Sequence, residues 1–317
     1  MKAFVTGING FAGSYLAEAL IEQGYSVGGT ILTGTSLEPI AHIRERLQLF
    51  TLDLTDKNAL NSALSSFQPE WLFHLAGVSS VKASLADPIK TFNINVMGGL
   101  NVLEAVKTLA PGIKVVLVSS GDIYGEALLT DKLTDEEVKP IPNSPYGVSK
   151  AALDMLGRVY AGSFGLDIVI ARPFSHIGPR QPDVFFIPTV ARQIAQIKIG
   201  QGGHTLKLGE LNIFRDFTDV RDVVRAYILL AEKGRKGEAY NICSGNQYLL
   251  KELVEMMICL SQEKIEVVLD LERVRSADLS RMKPDNSKIM KETGWRPTID
   301  IKRSLSDVFE YWMRTVN

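Results

Sequence analysis

Short apolar runs rich in β-branched and aromatic residues recur along the first half of the chain, and amphipathic helical patterns separate them. Residues 3–6 form the first run, and Leu16, Leu20 and Ile21 then fall on one helical face. Because runs and helices alternate at intervals of about 20–30 residues without a hairpin signal, we predict a parallel, doubly wound α/β (Rossmann) sheet. The further predicted strands are residues 25–32, 47–52, 71–75, 114–119 and 167–172, and the further predicted helices are residues 56–67, 91–109 and 145–164.

The pattern changes after residue 172, where prolines begin to interrupt the chain. We predict helices at residues 185–199 and 219–232, short strands at 205–208, 213–217 and 265–269, and a last strand at 240–244 that returns to the sheet. Residues 1–172, with return segments at about 214–244, would form a dinucleotide-binding domain. Residues 173–213 and 245–317 would form a smaller, mostly helical lobe, with substrate in the cleft between the two.

Three glycines at three-residue spacing lie between the first predicted strand and helix. Gly7 permits a tight turn, Gly10 lets the backbone approach a pyrophosphate, and Gly13 lets the helix pack closely on its strand. The free N–H groups at the helix N-terminus would then favour phosphates. A glycine-rich turn of any α/β protein is the alternative, but the strand–turn–helix context favours a dinucleotide cofactor.

The choice of cofactor depends on the end of the second strand, where a carboxylate favours NAD and a small or basic residue tolerates the 2′-phosphate of NADP. Thr30 and Thr33 lie there, and the first carboxylate is Glu38. We therefore predict NADPH or NADH. Further along, Asp53 either contacts adenine or caps the following helix, and the small residue Gly77 indicates either an approaching cofactor or a tight turn.

Composition excludes several classes of function. The 317 residues carry a net charge of −1, with 45% hydrophobic and 22% charged residues, which is typical of a globular protein and argues against nucleic-acid binding. No apolar run reaches the roughly 20 residues of a membrane span, and a strand begins at once, without a secretory signal. Two cysteines and four scattered histidines predict neither a disulfide framework nor a zinc site. We expect a metal-free cytoplasmic enzyme or binding protein.

Tyr146 and Lys150 are four residues apart, which places them on one face of a helix. A nearby ammonium favours phenolate and would lower the pKa of Tyr146 from about 10, which suits proton exchange with a sugar or alcohol oxygen. The alternative is two surface residues of an amphipathic helix. Ser120 follows the fifth strand and could form a hydrogen bond with the same oxygen. Asp122 is either a general base or, as we prefer, a turn residue.

Two histidines are interpreted as structural. His74 lies inside a predicted strand and is expected in the core, and His176 is expected to pack or to cap rather than to catalyse.

Four motifs together resemble those of extended short-chain dehydrogenases/reductases that act on nucleotide sugars. They are Gly7-x-x-Gly10-x-x-Gly13, Leu75-Ala-Gly77, Ser119-Ser120 and Tyr146-x-x-x-Lys150. Residues 172–179, 215–222 and 285–297 match later signatures of the nucleotide-sugar branch. The resemblance therefore covers essentially the whole chain.

The resemblance implies roles for the matching residues. The catalytic residues would be Ser120, Tyr146 and Lys150. The cofactor would be bound by Gly7, Asn9, Gly10, Phe11, Ala12, Gly13, Thr33, Asp53, Leu54, Leu75, Ala76 and Gly77, together with Tyr146 and Lys150. The nucleotide sugar would be bound by Ser79, Ser120, Ser175, Arg180, Arg215 and Arg275, and arginine suits it because its fork bonds phosphate oxygens in pairs. The helices at residues 91–109 and 145–164 pair in relatives, which implies a homodimer.

The sequence departs from the family pattern directly after Ser120. In the family's 4,6-dehydratases an acidic pair, or Thr with Glu, removes the C5 proton and expels the C6 hydroxyl as water. Here Gly121 offers no acid, and Asp122 is one methylene shorter than Glu. Ser175 also replaces the usual Asn.

The departure favours one reaction over the others. The resemblance implies NAD(P)H-dependent reduction of the C4 keto group of a GDP-linked 4-keto-6-deoxy-mannose. A 4,6-dehydratase, a C4 epimerase and a catalytically idle nucleotide-sensing module are the alternatives.

Overall fold

The computed structural model describes residues 1–129, 133–270 and 283–316 of the chain. Its strands within these residues follow the alternation that the sequence predicts. They are β1 (Lys2–Thr6), β2 (Ser26–Ile31), β3 (Leu47–Thr51), β4 (Trp71–His74), β5 (Lys114–Val118), β6 (Ile168–Pro173), β7 (His176–Ile177), β8 (Thr205–Leu208), β9 (Phe214–Arg215), β10 (Thr218–Asp219), β11 (Ala239–Ile242), β12 (Tyr248–Leu249) and β13 (Glu266–Leu269).

Seven of these strands form the central sheet, in the order β11-β6-β5-β4-β1-β2-β3. Each pairing within it is parallel. The strand order reverses at β1, which lies between β4 and β2. Doubly wound folds bind ligands in the crevice at such a reversal, outside the carboxyl ends of the strands. The predicted parallel α/β sheet is confirmed.

Helices connect the strands and cover both faces of the sheet. They are α1 (Phe11–Glu22), α2 (Lys57–Phe67), α3 (Val81–Ala86), α4 (Pro88–Phe92), α5 (Gly98–Leu109), α6 (Pro145–Ser163), α7 (Phe186–Lys198), α8 (Val220–Lys233), α9 (Leu250–Ser261), α10 (Ser287–Thr293) and α11 (Ile301–Thr315), with 3₁₀ turns at Glu38–Arg46, Gly121–Ile123 and Gly125–Leu129 and a π turn at Asn93–Met97.

Two hydrophobic cores lie on the two faces of the sheet. On one face, α1 buries Leu16 and Leu20 together with Tyr227 of α8. On the other face, α2, α5 and α6 bury residues such as Val102 and Leu153. The apolar stripes of these helices face the sheet, so burial of apolar area, at about 25 cal/mol per Å², holds the layers together.

A third core lies among α7, α9 and α11, which bury residues such as Ile194, Leu253 and Val308. The returning strand that the sequence predicts at residues 240–244 is present as β11, which pairs with β6. The proposed division into residues 1–172 with 214–244, and 173–213 with 245–317, stays a prediction. Among the described residues, no helix is long and apolar enough to cross a membrane, and no cluster of three or more His, Cys, Asp or Glu could hold a metal ion.

The prediction of one continuous helix at residues 91–109 is wrong. The helical path begins earlier, at Pro88, and the π turn Asn93–Met97 separates α4 from α5. The side chain of Asn95 explains why the wider turn is stable. Its Oδ1 accepts a hydrogen bond from the backbone N–H of Val78 at 2.7 Å, and its Nδ2 donates to Ser149 Oγ at 2.9 Å. Tertiary hydrogen bonds of this kind leave no mark on apolar periodicity.

A buried ion pair connects the last strands of the sheet with α6. Arg172 and Asp154 form two hydrogen bonds, from Nε to Oδ2 at 2.8 Å and from Nη2 to Oδ1 at 3.0 Å. Arg172 also donates to the hydroxyl of Tyr124 at 2.8 Å, and that hydroxyl donates to Asn241 Oδ1 at 2.8 Å. The guanidinium therefore links β6, α6, β11 and the loop that follows β5.

Candidate active site

The turn between β1 and α1 is shaped by its three glycines. Gly7 has a φ of +69°, a left-handed conformation that favours glycine. A Cβ on Gly13 would stand 2.2 Å from the carbonyl oxygen of Gly7, so only glycine lets α1 approach the strand this closely. Phe11 and Ala12 then open α1 with free backbone amides. The predicted strand–turn–helix is present, and the contact of these residues with a pyrophosphate stays a prediction.

Asn9 holds the loop that follows β2. Its side-chain amide donates to Thr35 Oγ at 2.8 Å and to the carbonyl of Ser36 at 2.9 Å. Thr33 is exposed on the same loop, and residues 30–37 contain no carboxylate. A cofactor ribose seated here would face hydroxyl groups rather than a negative charge. The roles of Asn9 and Thr33 toward a cofactor stay predictions.

Asp53, at the end of β3, forms a local turn. Its Oδ1 accepts from the backbone N–H and the hydroxyl of Thr55, both at 2.8 Å. The N-cap of α2 is instead Asp56, which accepts two backbone amides at 3.0 Å. The cap interpretation of Asp53 is therefore wrong, and its contact with adenine stays a prediction. An open groove beside it is lined by Asp53 and Lys90 among others, and Leu54 is buried behind it.

Thr6 and His74 fix the end of β4. Thr6 Oγ accepts from the backbone N–H groups of Leu75 and Ala76, each at 3.1 Å, and lies 2.9 Å from His74 Nδ1. Burial, together with the positive charge of Lys150, lowers the pKa of His74 to about 3, so the imidazole is neutral at physiological pH. The prediction of His74 as a core residue is confirmed, since it is 1% exposed.

A side chain at position 77 would collide with Asn95. A Cβ at this position would lie 2.7 Å from Asn95 Oδ1 and 3.8 Å from Lys150 Nζ. The tight-turn interpretation of Gly77 is thus supported. Because Gly77 has no side chain, it leaves open backbone surface beside Lys150, a catalytic candidate. Contact of a cofactor with this surface stays a prediction.

Tyr146 and Lys150 lie near the start of α6, and both are buried. Ser144 caps this helix, because its Oγ accepts the backbone N–H of Gly147 at 3.1 Å. Lys150 Nζ donates to the carbonyl oxygen of Val118, at the end of β5, at 2.9 Å. The alternative of two surface residues is therefore wrong, since the helix turns both side chains toward the carboxyl edge of the sheet.

The predicted lowering of the Tyr146 pKa by Lys150 is wrong for the side chains as they stand. Burial raises the pKa of Tyr146 above its ordinary value, the carboxylate of Asp122 raises it further, and a hydrogen bond with Ser120 lowers it. Burial also lowers the pKa of Lys150 to about 8. Both shifts have one physical cause, because a low-dielectric site penalises the charged form of each group.

Ser120 and Asp122 belong to one tight turn. Ser120 caps the 3₁₀ turn Gly121–Ile123, and its Oγ accepts the backbone N–H of Asp122 at 3.1 Å. Asp122 is thus a turn residue, as preferred above, although its carboxylate also acts electrostatically on Tyr146. The turn brings the Ser120 hydroxyl to the phenol of Tyr146. Gly121, between Ser120 and Asp122 in sequence, is buried.

Three of the predicted sugar-binding residues, Ser79, Ser120 and Ser175, follow the strands β4, β5 and β6 at this edge of the sheet. Ser79 and Ser175 are exposed. Arg215 is half-buried in β9, where its Nη1 donates to the carbonyl of Phe214 at 3.0 Å. Arg275 lies outside the described residues. The roles of these residues stay predictions.

Arg180 has a different environment from the one predicted. Its guanidinium binds both carboxylate oxygens of Glu18 in α1, at 3.1 Å from Nη2 to Oε2, and donates to the carbonyl of Pro39 at 2.8 Å. It also lies 3.8 Å from the ring centroid of Tyr15. These contacts direct Arg180 to α1, so we assign it to fixing the chain after β7 rather than to the sugar.

His176 packs, as predicted, and does so against the first residue of α1. Its ring is parallel to that of Phe11, with centroids 5.7 Å apart and planes at 6°. His176 Nδ1 lies 3.1 Å from the carbonyl oxygen of Phe174, and burial lowers the pKa of the imidazole.

Sequence reasoning missed the role of Asp216. This side chain is 1% exposed and accepts the backbone amides of Ser244 and Gly245 at 2.8 and 2.7 Å, and the Ser244 hydroxyl at 3.0 Å. Burial raises its pKa to about 6. Asp216 thereby ties the loop that carries Arg215 to the end of β11. In the sequence, the feature that points to Asp216 is its position within the signature at residues 215–222.

Comparison with known proteins gives consistent matches along the chain. Residues 4–308 match the family described as GDP-mannose 4,6 dehydratase. The GDP-6-deoxy-D-mannose reductase of Pseudomonas aeruginosa is 36% identical, over 98% of this chain and 97% of that one. The human GDP-mannose 4,6 dehydratase is 28% identical, over 94% of this chain and 87% of that one.

Solved structures agree with these matches. The structure of RMD from Pseudomonas aeruginosa complexed with NADPH has a TM-score of 0.86 at 34% identity and covers 99% of both chains. The Thermus thermophilus UDP-glucose 4-epimerase in complex with NAD also has a TM-score of 0.86, at 30% identity, and covers 98% of this chain and 99% of that one. With its parallel sheet, its glycine turn and its grouped Ser120, Tyr146 and Lys150, the chain belongs to the GDP-mannose 4,6-dehydratase family of extended short-chain dehydrogenases/reductases.

Proposed function

We propose that this protein reduces the C4 keto group of GDP-linked 4-keto-6-deoxy-mannose with NADPH or NADH, and that its product is GDP-6-deoxy-D-mannose (GDP-D-rhamnose). The observation that carries the proposal is the contrast between two neighbouring residues. Ser120 reaches Tyr146 by a hydrogen bond, which completes the set needed for carbonyl reduction. Gly121 offers no side chain for the elimination of water. We place this reaction in the cytoplasm, where nucleotide sugars and reduced nicotinamides are both available.

The residues present fit a nicotinamide dinucleotide. The close approach of Gly13 to Gly7 leaves the N-terminus of α1 open to a pyrophosphate. The hydroxyl-lined loop at Thr33 fits the adenosine ribose with or without a 2′-phosphate. Gly77, beside Lys150 Nζ, leaves room for the nicotinamide ribose, and we assign Lys150 to binding its hydroxyl groups. When bound, the nicotinamide supplies the hydride that goes to C4 of the sugar.

Tyr146 supplies the proton. As the C4=O4 bond is reduced to an alcohol, O4 takes the proton of the Tyr146 hydroxyl while C4 takes the hydride. Burial and Asp122 raise the pKa of Tyr146, so the phenol is protonated at neutral pH, the state that a proton donor requires. Ser120 donates a second hydrogen bond to O4 and stabilises the developing charge.

The sugar diphosphate would lie against the loops at the same edge of the sheet. We propose that Ser79 and Ser175 contact the sugar, and that Arg215 and Arg275 bind the diphosphate or the ribose. Asp216 supports this assignment because it fixes the backbone next to Arg215 through three hydrogen bonds. A fixed backbone reduces the entropy that arginine loses when it binds phosphate.

A 4,6-dehydratase is the second candidate, because the family includes such enzymes and because the Asp122 carboxylate acts on Tyr146. A C4 epimerase, which like the dehydratase would retain its cofactor and recycle the hydride, is supported by the similarity of the chain to UDP-glucose 4-epimerases, at 29% and 30% identity. A catalytically idle nucleotide-sensing module is the alternative outside enzymes, and the buried Ser120–Tyr146 contact argues against it.

We further propose that the protein is a homodimer. The helices α4 and α6 pack against each other and against the π turn Asn93–Met97, and together these three elements expose apolar residues that no described part of the chain covers. These are Ile89, Met97, Met155 and Val159, with exposed fractions of 74%, 48%, 56% and 51%. Leu103 of α5 and Leu153 of α6 are not available for such a contact, because they are buried in the protein's own core. A second copy placing the same helices here would cover the patch by two-fold symmetry.

The proposed reaction is tested directly with two substrates. Given GDP-4-keto-6-deoxy-mannose, the protein should oxidise one NADPH per sugar and form GDP-6-deoxy-D-mannose, as followed by absorbance and mass spectrometry. Given GDP-mannose and NADP⁺, it should form no 4-keto-6-deoxy sugar, because two groups worth about 10²–10⁴ each in rate are missing or displaced. Efficient dehydration of GDP-mannose would establish the second candidate. Nucleotide binding without turnover of either sugar would favour the sensing module.

Tyr146→Phe should lower kcat by about 10²–10⁴, because the substitution removes the proton donor and little else. The dissociation constant for NADPH should change by less than about threefold. Tyr25→Phe is the matched control, since Tyr25 lies just before β2, at the opposite edge of the sheet, and it should keep full activity. A near wild-type kcat for Tyr146→Phe would exclude Tyr146 as the donor.

The enzyme should use NADPH and NADH with kcat/KM values within about tenfold, or 1.4 kcal/mol, of each other. The reason is that the loop at Thr33 carries no carboxylate to repel a 2′-phosphate. Thr33→Asp should lower kcat/KM for NADPH at least tenfold more than for NADH, and Thr33→Ser should not. A wild-type preference for NADH of more than a hundredfold would show that Glu38 or another acid reaches the ribose.

Sedimentation at micromolar concentration should give a dimer. The double variant Met155→Glu/Val159→Glu should be monomeric, because like charges would face each other across the two-fold axis. Val184→Glu is the control, since Val184 is 64% exposed but lies before α7, away from the patch. A monomeric wild-type protein, or a dimeric double variant, would contradict the proposed interface.

A further inference from the structure

Asp216 is a buried carboxylate that holds a turn of the chain by its backbone. Its side chain is 1% exposed, and it comes directly after β9, which carries Arg215. Oδ1 accepts the backbone N–H of Ser244 at 2.8 Å, and Oδ2 accepts the backbone N–H of Gly245 at 2.7 Å and the Ser244 hydroxyl at 3.0 Å. Each carboxylate oxygen therefore accepts a hydrogen bond from one main-chain N–H group.

The turn at residues 244–247 leads into β12, which pairs with β9. This β9–β12 ribbon is separate from the central sheet, has two residues in each strand, and places Tyr248 opposite Arg215. So short a pair of strands is not stable by itself. Asp216 connects the ribbon to the end of β11, because Ser244 lies two residues after that strand. Its hydrogen bonds therefore fix the backbone of Arg215 at the carboxyl edge of the sheet.

A neutral side chain of the same shape could not make these contacts. Asn has an NH₂ group in place of one carboxylate oxygen, and this donor would face one of the two backbone N–H groups. Protonation of Asp216 has a related effect, because hydrogen bonds to an ionised acceptor are about twice as strong as those to a neutral one. The turn is thus held most firmly by the ionised carboxylate.

The charge is kept against the effect of burial. Burial raises the pKa of Asp216 to about 6, although the hydrogen bonds from Ser244 and Gly245 lower it. Because the pKa exceeds the ordinary value of an Asp, the charged form makes the fold less stable at pH 7 than the neutral form would. Many turns are held by neutral serine or asparagine side chains. A carboxylate at this place therefore indicates a role besides folding.

The titratable groups that face Asp216 do not balance its charge. Cys243 at the end of β11 and Tyr248 of β12 each have a pKa raised first by burial and further by the Asp216 carboxylate, so both are uncharged between pH 5 and pH 7. The other charged or titratable groups of the surrounding elements are Arg215, Asp219, His176, Glu136, Asp285 and Asp300. The pKa values of His176 and Glu136 are also shifted, so an experiment must compare proteins that differ at Asp216 alone.

We propose that ionised Asp216 is a positioning residue for the nucleotide sugar, that it holds the β9–β12 ribbon where Arg215 meets the nucleotide, and that its protonation loosens the ribbon and weakens binding. The inference rests on the proposed function, in which Arg215 binds the diphosphate or the ribose. It adds that affinity for the nucleotide sugar depends on one proton. Asp216 is buried and acts through Arg215, so it affects binding rather than the hydride and proton transfers.

The first test measures the turn without a ligand. In Asp216→Asn, hydrogen exchange of the Ser244 and Gly245 amides should be about tenfold faster or more, as followed by mass spectrometry of peptides from residues 240–250. Asp56→Asn is the matched control, because Asp56 also accepts two backbone amides but caps α2, where Asn serves equally well. Unchanged exchange in Asp216→Asn would overturn the proposal. If Asp216→Asn does not fold, Ser244→Ala removes one of the hydrogen bonds and should accelerate exchange in the same peptides.

The second test measures the binding of GDP-mannose by calorimetry, without cofactor. The wild type should bind about tenfold more weakly at pH 5 than at pH 7, because a pKa of about 6 leaves about one tenth of Asp216 ionised at pH 5. The diphosphate of GDP-mannose stays fully charged over this range. Asp216→Asn should bind about tenfold more weakly than the wild type at pH 7 and change less than about threefold with pH. Equal pH dependence in the two proteins would refute the proposed role.

The third test asks whether Asp216 acts through Arg215. Arg215→Met should lower the affinity for GDP-mannose about tenfold or more, and Arg215→Met/Asp216→Asn should match Arg215→Met within about twofold at pH 7. Additive losses would contradict the proposal. In the reductase assay Asp216→Asn should raise KM for the keto sugar about tenfold and change kcat less than about threefold. A wild-type protein that binds GDP-mannose but reduces no keto sugar would contradict the proposed reaction alone, because the binding tests do not depend on turnover.

Discussion

The buried ion pair between Arg172 and Asp154 determines where every catalytic candidate stands. It fixes α6, which carries Tyr146 and Lys150, against β6, and through Tyr124 it fixes the turn that carries Ser120. Both charges are 2% exposed, so removing one partner would leave the other buried and unpaired, which typically costs about 3–5 kcal/mol. A hydrophobic pair could match its stability, but it could not also hold the Tyr124 hydroxyl in one orientation. The ion pair thus matters more for the positions of the surrounding side chains than for the stability of the fold.

Burial of the same region sets the protonation states of the site. Tyr146 and Lys150 are both forced toward their neutral forms, one by a raised pKa and the other by a pKa lowered to about 8. A tyrosine with a raised pKa keeps its proton at neutral pH, which is the state that a proton donor requires, but the raised pKa also makes it a weaker acid. A lysine bound to the Val118 carbonyl is positioned for hydroxyl groups. Exclusion of water therefore keeps the phenol of Tyr146 protonated.

The sequence predicted features that depend on local periodicity and missed those that depend on tertiary contacts. Gly7 and Gly13 mark a turn because their spacing is local, and the alternation of runs and helices fixes the sheet. The π turn depends on Asn95 meeting Val78 and Ser149, which are distant in sequence. Arg180 turned out to bind Glu18, and the pKa of Tyr146 follows from burial. Neither the partner of Arg180 nor the burial of Tyr146 can be inferred from the spacing of residues in the sequence.

The family relationship acquires a physical meaning at position 121. A reductase at 36% identity and dehydratases at 28% are similar to the same chain, because hydride transfer needs the same sheet, glycine turn and Ser–Tyr–Lys set in each. Elimination makes further demands on the turn after Ser120, where Gly121 has no side chain and Asp122 is one methylene shorter than Glu. That turn is held through Tyr124 by the Arg172–Asp154 pair. The network that positions the catalytic candidates therefore also fixes the turn in which this chain departs from the dehydratase pattern.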